Sequence, residues 1–448
     1  MKKYISNENI SKFKNSYLNQ KQLKLSRNAL TRSQINDVAM DWDAFSITNH
    51  EYSDIISTEM KKVTNQKASG RCWGFAGLNL MRLSLAEKYN LEDFEFSQNY
   101  FMFFDKLEKA NYFLENIINT FNEPYESRLM MHLLDSPVQD GGQWDMFVNL
   151  IEKYGVVPKS VMPESFQSSQ SRMMNGFLTR KLREFAYNLR KLNKEGITET
   201  DLRLEKENMM SIIYSMLCIF LGNPPEKFSW QTRDRKNKFL KIQDLTPISF
   251  YKDHTNVNLK DKLCLIHAPM SNKKMNELYT VKYLGNVVDG QIIKYANVDI
   301  LEIKKAAIKS IKNNEAVWFG CDVGKMFHRD LGLMDMDLYD YDSVLGTKFS
   351  MDKATRLEYG DSMMTHAMLF TGVDIEDGKP QKWRVENSWG TKGGKKGYYL
   401  MTDKWFDEYN YEIVVDKKYL TPEILDLFKK DPQPLEPWDP MGALALAL

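Results

Sequence analysis

The chain is poor in cysteine, with four in 448 residues. They are Cys72, Cys218, Cys264 and Cys321, which are widely separated and include no C-x-x-C pair. Proteins that depend on a disulfide framework carry more cysteines at closer spacing. The sequence therefore argues against such a framework and predicts a protein of a reducing compartment, with the cytoplasm as the expected location.

The sequence also lacks an excess of one charge and any long apolar run. Lys and Arg number 61 against 60 Asp and Glu, so no overall field favours a nucleic acid or an anionic membrane. No apolar run approaches the roughly 18 residues of a spanning helix, and the start, MKKYISNEN, turns polar at once, unlike a signal peptide. With 43% hydrophobic residues, the chain has the composition of a globular protein with a sizeable core.

Helices are predicted for most of the first half of the chain. Residues 1–60 are polar and mixed, and we expect an N-terminal arm of short helices packed on the body. Apolar residues recur near helical spacing over 73–89, which predicts a mostly buried helix. Residues 61–162 are therefore expected to form a helical lobe, and residues 163–258, rich in Lys, Arg, Glu and Asn, a helical insertion.

Strands are predicted to dominate after about residue 260, where the segments become short, apolar or alternating and are punctuated by Gly and Asn. The expected strands are 263–267, 279–283, 291–295, 317–322, 367–373, 383–386 and 397–401, interrupted by a helix over 301–312. Residues 259–420 would form a sheet lobe, and residues 421–448 a C-terminal helix and an extended, proline-rich arm. Helices first and antiparallel strands later indicate an α+β fold.

Four residues in one order indicate thiol chemistry. Cys72 stands where the 73–89 helix should begin, and Gln66 lies six residues before it. His366 opens an apolar strand far downstream, and Asn387 follows 21 residues later, a spacing that one hairpin can span. A thiol can attack a carbonyl while an imidazole takes its proton, an amide oxygen orients the imidazole and an amide N–H stabilises the oxyanion. These four residues form the predicted catalytic set.

The surroundings of Cys72 refine this prediction. We expect the thiol to ionise readily, because a helix N-terminus and a nearby imidazolium both lower a thiol pKa. The Gln66 side-chain amide and the Cys72 backbone N–H are the expected oxyanion donors. Trp389 would cover the bond between His366 and Asn387 and exclude water from it. The other three cysteines lie in apolar segments and are interpreted as buried and inert.

Other patterns are less specific. Cys264-Leu265-Ile266-His267 has a spacing found in zinc sites, but it lies in an apparent strand and lacks a second pair, so no metal or other cofactor is expected. Residues 393–397, GGKKG, are most simply a hairpin turn, since no helix follows them. The basic stretches 180–183 and 233–238 are most simply solvated faces, with a nucleic-acid-binding oligomer as a minor alternative.

The chain resembles the papain-like cysteine peptidases, and within them the bleomycin hydrolase and aminopeptidase C branch. The superfamily is matched by Gln66…Cys72-Trp73, His366-Ala367 and Asn387-Ser388-Trp389-Gly390, and the branch by 140–146 (DGGQWDM), 364–368 (MTHAM) and 437–445 (PWDPMGALA). The chain departs from secreted papain-type enzymes at Ser69, where they carry a disulfide-bonded cysteine. The interval of 294 residues between nucleophile and His exceeds the roughly 130–150 of those enzymes, which indicates large insertions.

The resemblance implies a two-lobed papain-like fold and an aminopeptidase that acts on short peptides with a free N-terminus through a thioester acyl-enzyme. It also implies a homohexamer, a substrate strand paired with the backbone of Gly141 and Gly142, and a C-terminal arm that lies in its own cleft with Leu444 and Ala445 near the substrate. This chain continues over residues 446–448, beyond the usual ending of the branch. An oligopeptide endopeptidase of the same family is the alternative if this tail alters the cleft.

Overall fold

The structure, a computed structural model, describes residues 3–46 and 48–442 of the chain. Its helices are α1 (Asn7–Leu18), α2 (Lys21–Leu30), α3 (Ile35–Ala39), α4 (Trp42–Ser46), α5 (Cys72–Tyr89), α6 (Gln98–Asn119), α7 (Arg128–Asp135), α8 (Trp144–Tyr154), α9 (Phe166–Ser169), α10 (Arg172–Lys194), α11 (Glu199–Leu221), α12 (Pro247–His254), α13 (Ile300–Lys312), α14 (Tyr341–Leu345), α15 (Lys353–Glu358), α16 (Asp403–Tyr409) and α17 (Pro422–Leu427).

The strands lie mainly in the second half, as the sequence predicted. They are β1 (Asp54–Ile55), β2 (Phe228–Arg233), β3 (Phe239–Leu245), β4 (Lys262–Ile266), β5 (Glu277–Val281), β6 (Tyr295–Asn297), β7 (Val317–Cys321), β8 (Phe327–His328), β9 (Leu333–Met334), β10 (His366–Glu376), β11 (Lys379–Glu386), β12 (Tyr398–Thr402), β13 (Asn410–Asp416) and β14 (Gln433–Leu435). Helices early and strands late give the predicted α+β class.

A twelve-stranded sheet organises the second half of the described chain. Its order is β14-β5-β6-β4-β13-β7-β10-β11-β12-β9-β8, with β1 added on β10, while β2 and β3 form a separate hairpin. Most neighbours are antiparallel, as expected, but β4–β6, β9–β12 and β5–β14 are parallel. The parallel pair β5–β14 matters for function, because β14 belongs to the C-terminal arm.

Helix α5, which carries the predicted nucleophile, lies inside the protein. Thirteen of its eighteen residues are buried, which fits a helix that is apolar on nearly all sides. Two glycines let aromatic rings approach its backbone: a Cβ on Gly74 would lie 2.3 Å from Phe101, and one on Gly77 would lie 2.6 Å from Phe147. Asn90 ends the helix in the left-handed conformation. The helix packs against β10.

The hairpin of β10 and β11 connects the two downstream residues of the predicted catalytic set. Asp377 and Gly378 both have positive φ, 50° and 75°, and the flanking Glu376 and Lys379 are paired. Two consecutive residues with positive φ form the tight turn that suits the twist of a hairpin. β10 extends three residues beyond the predicted end at 373, because it continues past its buried part into this turn.

One helix prediction and one strand prediction were wrong, and several strands were not predicted. Residues 228–245 are not helical, since β2 and β3 form a two-stranded ribbon that turns at Asn237. The strand expected at 291–295 begins only at its last residue, because Asn149 and Asp145 bind the backbone and side chain of Gln291 instead. The longest strand of the large sheet that was not predicted is β13, in which the fully buried Glu412 interrupts the apolar pattern.

The N-terminal arm forms short helices, as expected, but it packs on the body only in part. Neither α1 nor α2 contains a buried residue. Gln22 of α2 donates to the backbone oxygen of Ser343 at 2.5 Å, and Leu23 contacts Gly346. No described helix is both long and apolar enough to cross a membrane. The domain boundaries drawn at residues 60, 162, 258 and 420 stay predictions.

Candidate active site

Cys72 is the first residue of α5 and is only 1% exposed. The backbone N–H groups of Ala367 and Trp73 both donate toward its sulfur. The starts of α5 and β10 therefore meet at this atom. Arg71, the residue before the thiol, is engaged elsewhere, since its guanidinium binds both oxygens of Glu164 at 3.1 and 2.7 Å.

A buried carboxylate, Asp140, holds the loop that leads into Cys72. Its Oδ2 accepts from the Gly70 backbone N–H at 2.8 Å, and its backbone oxygen accepts from Trp73 Nε1 at 2.6 Å. Other donors to the carboxylate are Lys106 Nζ at 2.6 Å, Asn175 Nδ2 at 2.7 Å and Ser171 Oγ at 2.5 Å. Burial by itself would raise the pKa of Asp140, but the Lys106 ammonium and these hydrogen bonds hold it well below its usual range. An ionised Asp140 thus fixes residues on both sides of the nucleophile.

His366 and Asn387, which are buried, and Trp389, which is partly buried, form one group at the open end of the β10–β11 hairpin. His366 Nε2 lies 2.9 Å from Asn387 Oδ1. An amide oxygen can only accept, which assigns the proton to Nε2 and leaves the Nδ1 lone pair free. The Trp389 ring lies on the imidazole with 4.7 Å between centroids, and the Arg329 guanidinium lies over the indole at 4.6 Å. Trp389 therefore covers the imidazole as expected.

Gln66 is oriented by three hydrogen bonds. Its backbone N–H donates to the Ser388 backbone oxygen at 2.8 Å, and its Oε1 accepts from Ser388 Oγ at 2.6 Å. Its Nε2 donates to the Ser69 backbone oxygen at 2.6 Å. A side-chain amide nitrogen carries two hydrogens, so one N–H of Gln66 remains for a ligand. The geometry fits the predicted oxyanion donor.

Burial keeps both Cys72 and His366 neutral in this arrangement. It raises the pKa of the Cys72 thiol to about 12, against the opposing effect of the Ala367 N–H. It lowers the pKa of His366 to about 4, against the opposing bond to Asn387. The expectation of a lowered thiol pKa is therefore wrong for the enclosed site, because desolvation outweighs the stabilising N–H groups and no imidazolium is present.

Gly141 and Gly142 lie next to Trp73, close behind the nucleophile. A Cβ on Gly142 would come within 2.5 Å of the Trp73 ring, so no larger residue fits there. The Gly141 oxygen accepts from Lys109 Nζ at 2.5 Å, and this buried ammonium also binds Asp105 at 2.9 Å. Both glycines line a cavity of about 210 Å³. Their position is compatible with the expected pairing to a substrate strand.

The C-terminal arm reaches the same cavity. Leu444 and Ala445, expected near the substrate, lie outside the described residues. The last described residue, Gly442, lines the cavity together with the two glycines of the 141–142 pair. Before it, the oxygen of buried Met441 accepts from Gln143 Nε2 at 3.5 Å. The last described residues of the arm therefore lie beside the segment that follows the two glycines.

Cys264 and His267, which have the sequence spacing of a zinc site, bind different partners. Cys264 Sγ donates to Glu412 Oε1 at 2.7 Å, whereas His267 Nδ1 lies 3.0 Å from the Val298 backbone oxygen. Within residues 3–46 and 48–442, no group of three His, Cys, Asp or Glu side chains is arranged to hold a metal ion. Cys264 is instead part of a buried pair with a carboxyl group.

Several cations of the basic stretches bind the chain's own acceptors. Arg183 donates to the backbone oxygens of Leu134 and Asp135 at 2.7 and 2.8 Å. Arg235 donates to the Leu91 backbone oxygen at 3.2 Å. These arginines therefore stabilise the fold through hydrogen bonds to backbone oxygens and are not only solvated surface charges. These contacts give no support to the nucleic-acid alternative.

Sequence reasoning missed the polar network beneath the site. Lys106 and Lys109 lie one helical turn apart on α6 and reach Asp140 and Gly141 respectively. Their i, i+3 spacing on a helix that carries many large apolar residues is a signal in the sequence, because two ammonium groups on a buried face require acceptors. Ser388, between Asn387 and Trp389, has no role predicted from the sequence, because its bond to Gln66 joins residues more than 300 positions apart.

Comparison with known proteins gives a consistent result. Residues 4–442 match the Peptidase C1-like family. The chain is 47% identical to bleomycin hydrolase of Homo sapiens over 432 residues, 95% of each protein. It is 51% identical to aminopeptidase C of Listeria innocua over 385 residues, 86% of this chain and 87% of the relative. The crystal structure of PepW from Lactobacillus rhamnosis HN001 matches with a TM-score of 0.97 at 45% identity, covering 99% of this chain and 100% of that one.

Proposed function

The chain belongs to the Peptidase C1-like family, and we propose that it is a cysteine aminopeptidase that removes N-terminal residues from short peptides through a thioester acyl-enzyme. The observation that carries the proposal is a buried thiol whose sulfur lies beside the backbone N–H of Ala367, the residue after His366. Gln66 is hydrogen-bonded to Ser388, the residue after Asn387, so its amide is held next to the His366–Asn387 pair. Family membership and the mixed helix and sheet content establish a papain-like α+β cysteine peptidase. A relative named aminopeptidase C favours attack at the N-terminus.

The reaction follows from the positions of these groups. As the Cys72 sulfur attacks the substrate carbonyl, its proton passes to the free Nδ1 of His366. The carbonyl oxygen becomes an oxyanion, which accepts from the spare N–H of Gln66 and from the Cys72 backbone N–H. The imidazolium then returns its proton to the departing amine, leaving a thioester on the sulfur. Water, deprotonated by the same imidazole, hydrolyses the thioester and restores the thiol.

The neutral resting pair is consistent with this sequence of steps. Ionising Cys72 at its buried position would place charge in a desolvated space, which is unfavourable. Attack on a carbonyl moves the charge from sulfur to the oxyanion, where preorganised N–H donors receive it. Asn387 holds the imidazole in the tautomer that accepts the proton. The Trp389 ring contacts the imidazole and would keep water from the hydrogen bond between His366 and Asn387.

We further propose that the C-terminal arm restricts the cleft to peptides with a free N-terminus. The last described residue of the arm, Gly442, lines the cavity that Gly141 and Gly142 also line, which supports this role. A carboxylate at the end of the arm, beyond Leu444 and Ala445, would bind the substrate ammonium, and a fixed opposite charge selects for it. Pairing of the substrate with the two glycines would align the scissile bond at the thiol.

A homohexamer in the cytoplasm is proposed from the resemblance. The four cysteines are all free, which suits a reducing compartment. Helix α1 exposes Ile10 and Phe13, at 53% and 60%, as an arm that contacts a neighbouring copy would. Light scattering of the purified protein tests the assembly: a monomer at working concentration would refute it.

The direct test of the chemistry is Cys72→Ala, assayed on aminoacyl arylamides. We expect hydrolysis to fall to background while the thermal unfolding temperature stays close to that of the wild type. Cys218→Ala is the matched control, because Cys218 is free and lies on α11, away from the site. Full activity of the Cys72 variant would refute the proposal.

The endopeptidase alternative is tested with pairs of peptides that differ only in Nα-acetylation. An aminopeptidase cleaves the free-amino member and spares the acetylated one, because the blocked terminus has no charge and needs more space. A preference for the acetylated peptide would favour the endopeptidase alternative. It would not change the roles proposed for the catalytic residues.

A further inference from the structure

The extended part of the C-terminal arm, residues 431–442, is joined to the segment around β5 by two ion pairs of different character. Lys273 Nζ lies 2.6 Å from Asp439 Oδ2, with side chains 0% and 6% exposed. Lys282 Nζ lies 2.8 Å from Glu436 Oε1, with side chains 44% and 52% exposed. Only the first pair is enclosed by protein, so the two pairs should differ in their effect on the arm.

Asp439 organises the last described turn of the chain. Its Oδ1 accepts from the Met441 backbone N–H at 2.9 Å, while its backbone oxygen accepts from the Gly442 N–H at 2.9 Å. Its other carboxylate oxygen binds Lys273. The ammonium has only two further contacts, with Met270 Sδ at 3.1 Å and with an Asn272 oxygen at 3.2 Å. Asp439 is therefore its single anionic partner among the described residues.

The turn held in this way lies against the segment that contains Gly141 and Gly142, which the proposed function places beside the substrate. Met441 is completely buried, and its oxygen accepts from Tyr295 Oη at 3.2 Å as well as from Gln143. The next residue, Gly442, lines the cavity that contains Gly141. A change in the position of Asp439 would therefore move the end of the arm relative to the substrate segment.

We propose that Lys273 and Asp439 act as a clamp that sets the exopeptidase specificity of this enzyme by fixing the arm at the cleft. Both are positioning residues, which act through the arm and not on the reacting atoms. The inference rests on the proposed function, in which the arm excludes peptides without a free N-terminus.

The physical basis is the difference between a buried and an exposed ion pair. An exposed pair is screened by water and contributes little to holding a segment. Breaking a buried pair leaves an uncompensated charge, which the protein relieves by moving that charge toward water. For Asp439, this movement would withdraw the turn at residues 440–442 from the cleft.

The experiment compares Lys273→Met and Asp439→Asn with the control Lys282→Met. For each protein, kcat/KM is measured on a free-amino peptide and on its Nα-acetylated twin. We expect both clamp variants to lower the ratio of the two values by about tenfold or more, through gained cleavage of the acetylated peptide. The control should keep the wild-type ratio. D439N retains the side-chain volume and the oxygen that caps Met441, so it remains informative if K273M fails to fold.

The possible results distinguish a failure of the Lys273–Asp439 clamp from a failure of the proposed aminopeptidase function. An unchanged ratio in folded D439N or K273M would overturn the clamp, as would an equal loss of activity on both peptides. A wild type that does not prefer the free-amino peptide would instead overturn the proposed function. The double variant K273M/D439N should change the ratio no more than the stronger single variant, since both substitutions break one interaction; additive changes would also count against the clamp.

Discussion

Ser388 and Gln66 are joined by two hydrogen bonds, one from the serine hydroxyl to the Gln66 Oε1 and one from the Gln66 backbone N–H to the serine backbone oxygen. Ser388 directly follows Asn387, which orients the imidazole. The turn after β11 therefore aligns the oxyanion donor and the general base together, although these residues lie more than 300 positions apart in sequence.

Replacing Ser388 by Ala should lower kcat more than it changes KM. The substitution removes one of the bonds that orient the Gln66 amide, and a misdirected donor stabilises the oxyanion less. We expect kcat to fall about tenfold to a hundredfold, less than the roughly 10²- to 10³-fold loss for removing a donor outright in Gln66→Ala. Steady-state kinetics on an aminoacyl arylamide measure both variants, and a Ser388→Ala enzyme with wild-type kcat would contradict the prediction.

The acidic limb of the pH–rate profile should lie well below the usual range of a histidine. His366 acts as a base only when neutral, and desolvation lowers its pKa from 6.5 to about 4. Activity should therefore persist as the pH falls through 6 and decline as it passes through about 4. The Arg329 guanidinium contributes to this lowering, so Arg329→Met should move the limb upward. Return of the samples to neutral pH controls for unfolding; a wild-type limb near pH 6.5 would be inconsistent with the enclosed imidazole.

Glu412 should make stability depend on pH. This fully buried carboxyl accepts from the Cys264 thiol and has no cationic partner among the described residues, and burial raises its pKa from 4.5 to about 8. The folded protein therefore binds the proton more tightly than the unfolded chain does. Its stabilising contribution is complete below about pH 4.5 and is lost as the pH rises through about 8, by at most about 1.4 kcal/mol per pH unit.

The matched variant for this effect is Glu412→Gln, which is neutral at every pH and keeps an oxygen for Cys264. The unfolding temperature of Glu412→Gln, measured relative to that of the wild type, should rise as the pH is raised from 5 to 9. Differential scanning calorimetry at several pH values makes the comparison. Parallel curves for the two proteins would show that Glu412 does not titrate in this window.

The buried pair of Arg82 and Glu386 should be important for stability. Arg82 Nη2 lies 2.6 Å from Glu386 Oε1, and the side chains are 1% and 2% exposed. Arg82→Met would leave the carboxylate uncompensated inside the protein, at a cost of about 3–5 kcal/mol in the free energy of unfolding. Lys61→Met, which breaks the exposed pair with Glu92, should change it by less than about 1 kcal/mol. Urea unfolding of both variants tests the contrast, and equal effects would refute it.

Much of the fold could be predicted from the sequence, because buried apolar residues recur at the spacing of a helix or of a strand. The helix expected over 73–89 is α5, and the helix expected over 301–312 is α13, each within one residue. Strand 383–386 was predicted too short at its start, where β11 leaves the core. Strand β13 was not predicted because a glutamate such as Glu412 normally indicates an exposed position, whereas here it is buried. Its burial depends on a thiol nearly 150 positions away.

The sequence by itself determined the reacting groups, since a thiol, an imidazole and two amides in this order have a specific chemical use. It also indicated the α+β class and the extended arm. Tertiary structure decided what those groups experience. Burial makes Cys72 and His366 neutral, against the expectation from the helix dipole, and Asp140 and Ser388 fix the geometry from distant parts of the chain. Desolvation and hydrogen bonding depend on which residues enclose a group, and that enclosure arises only when the chain has folded.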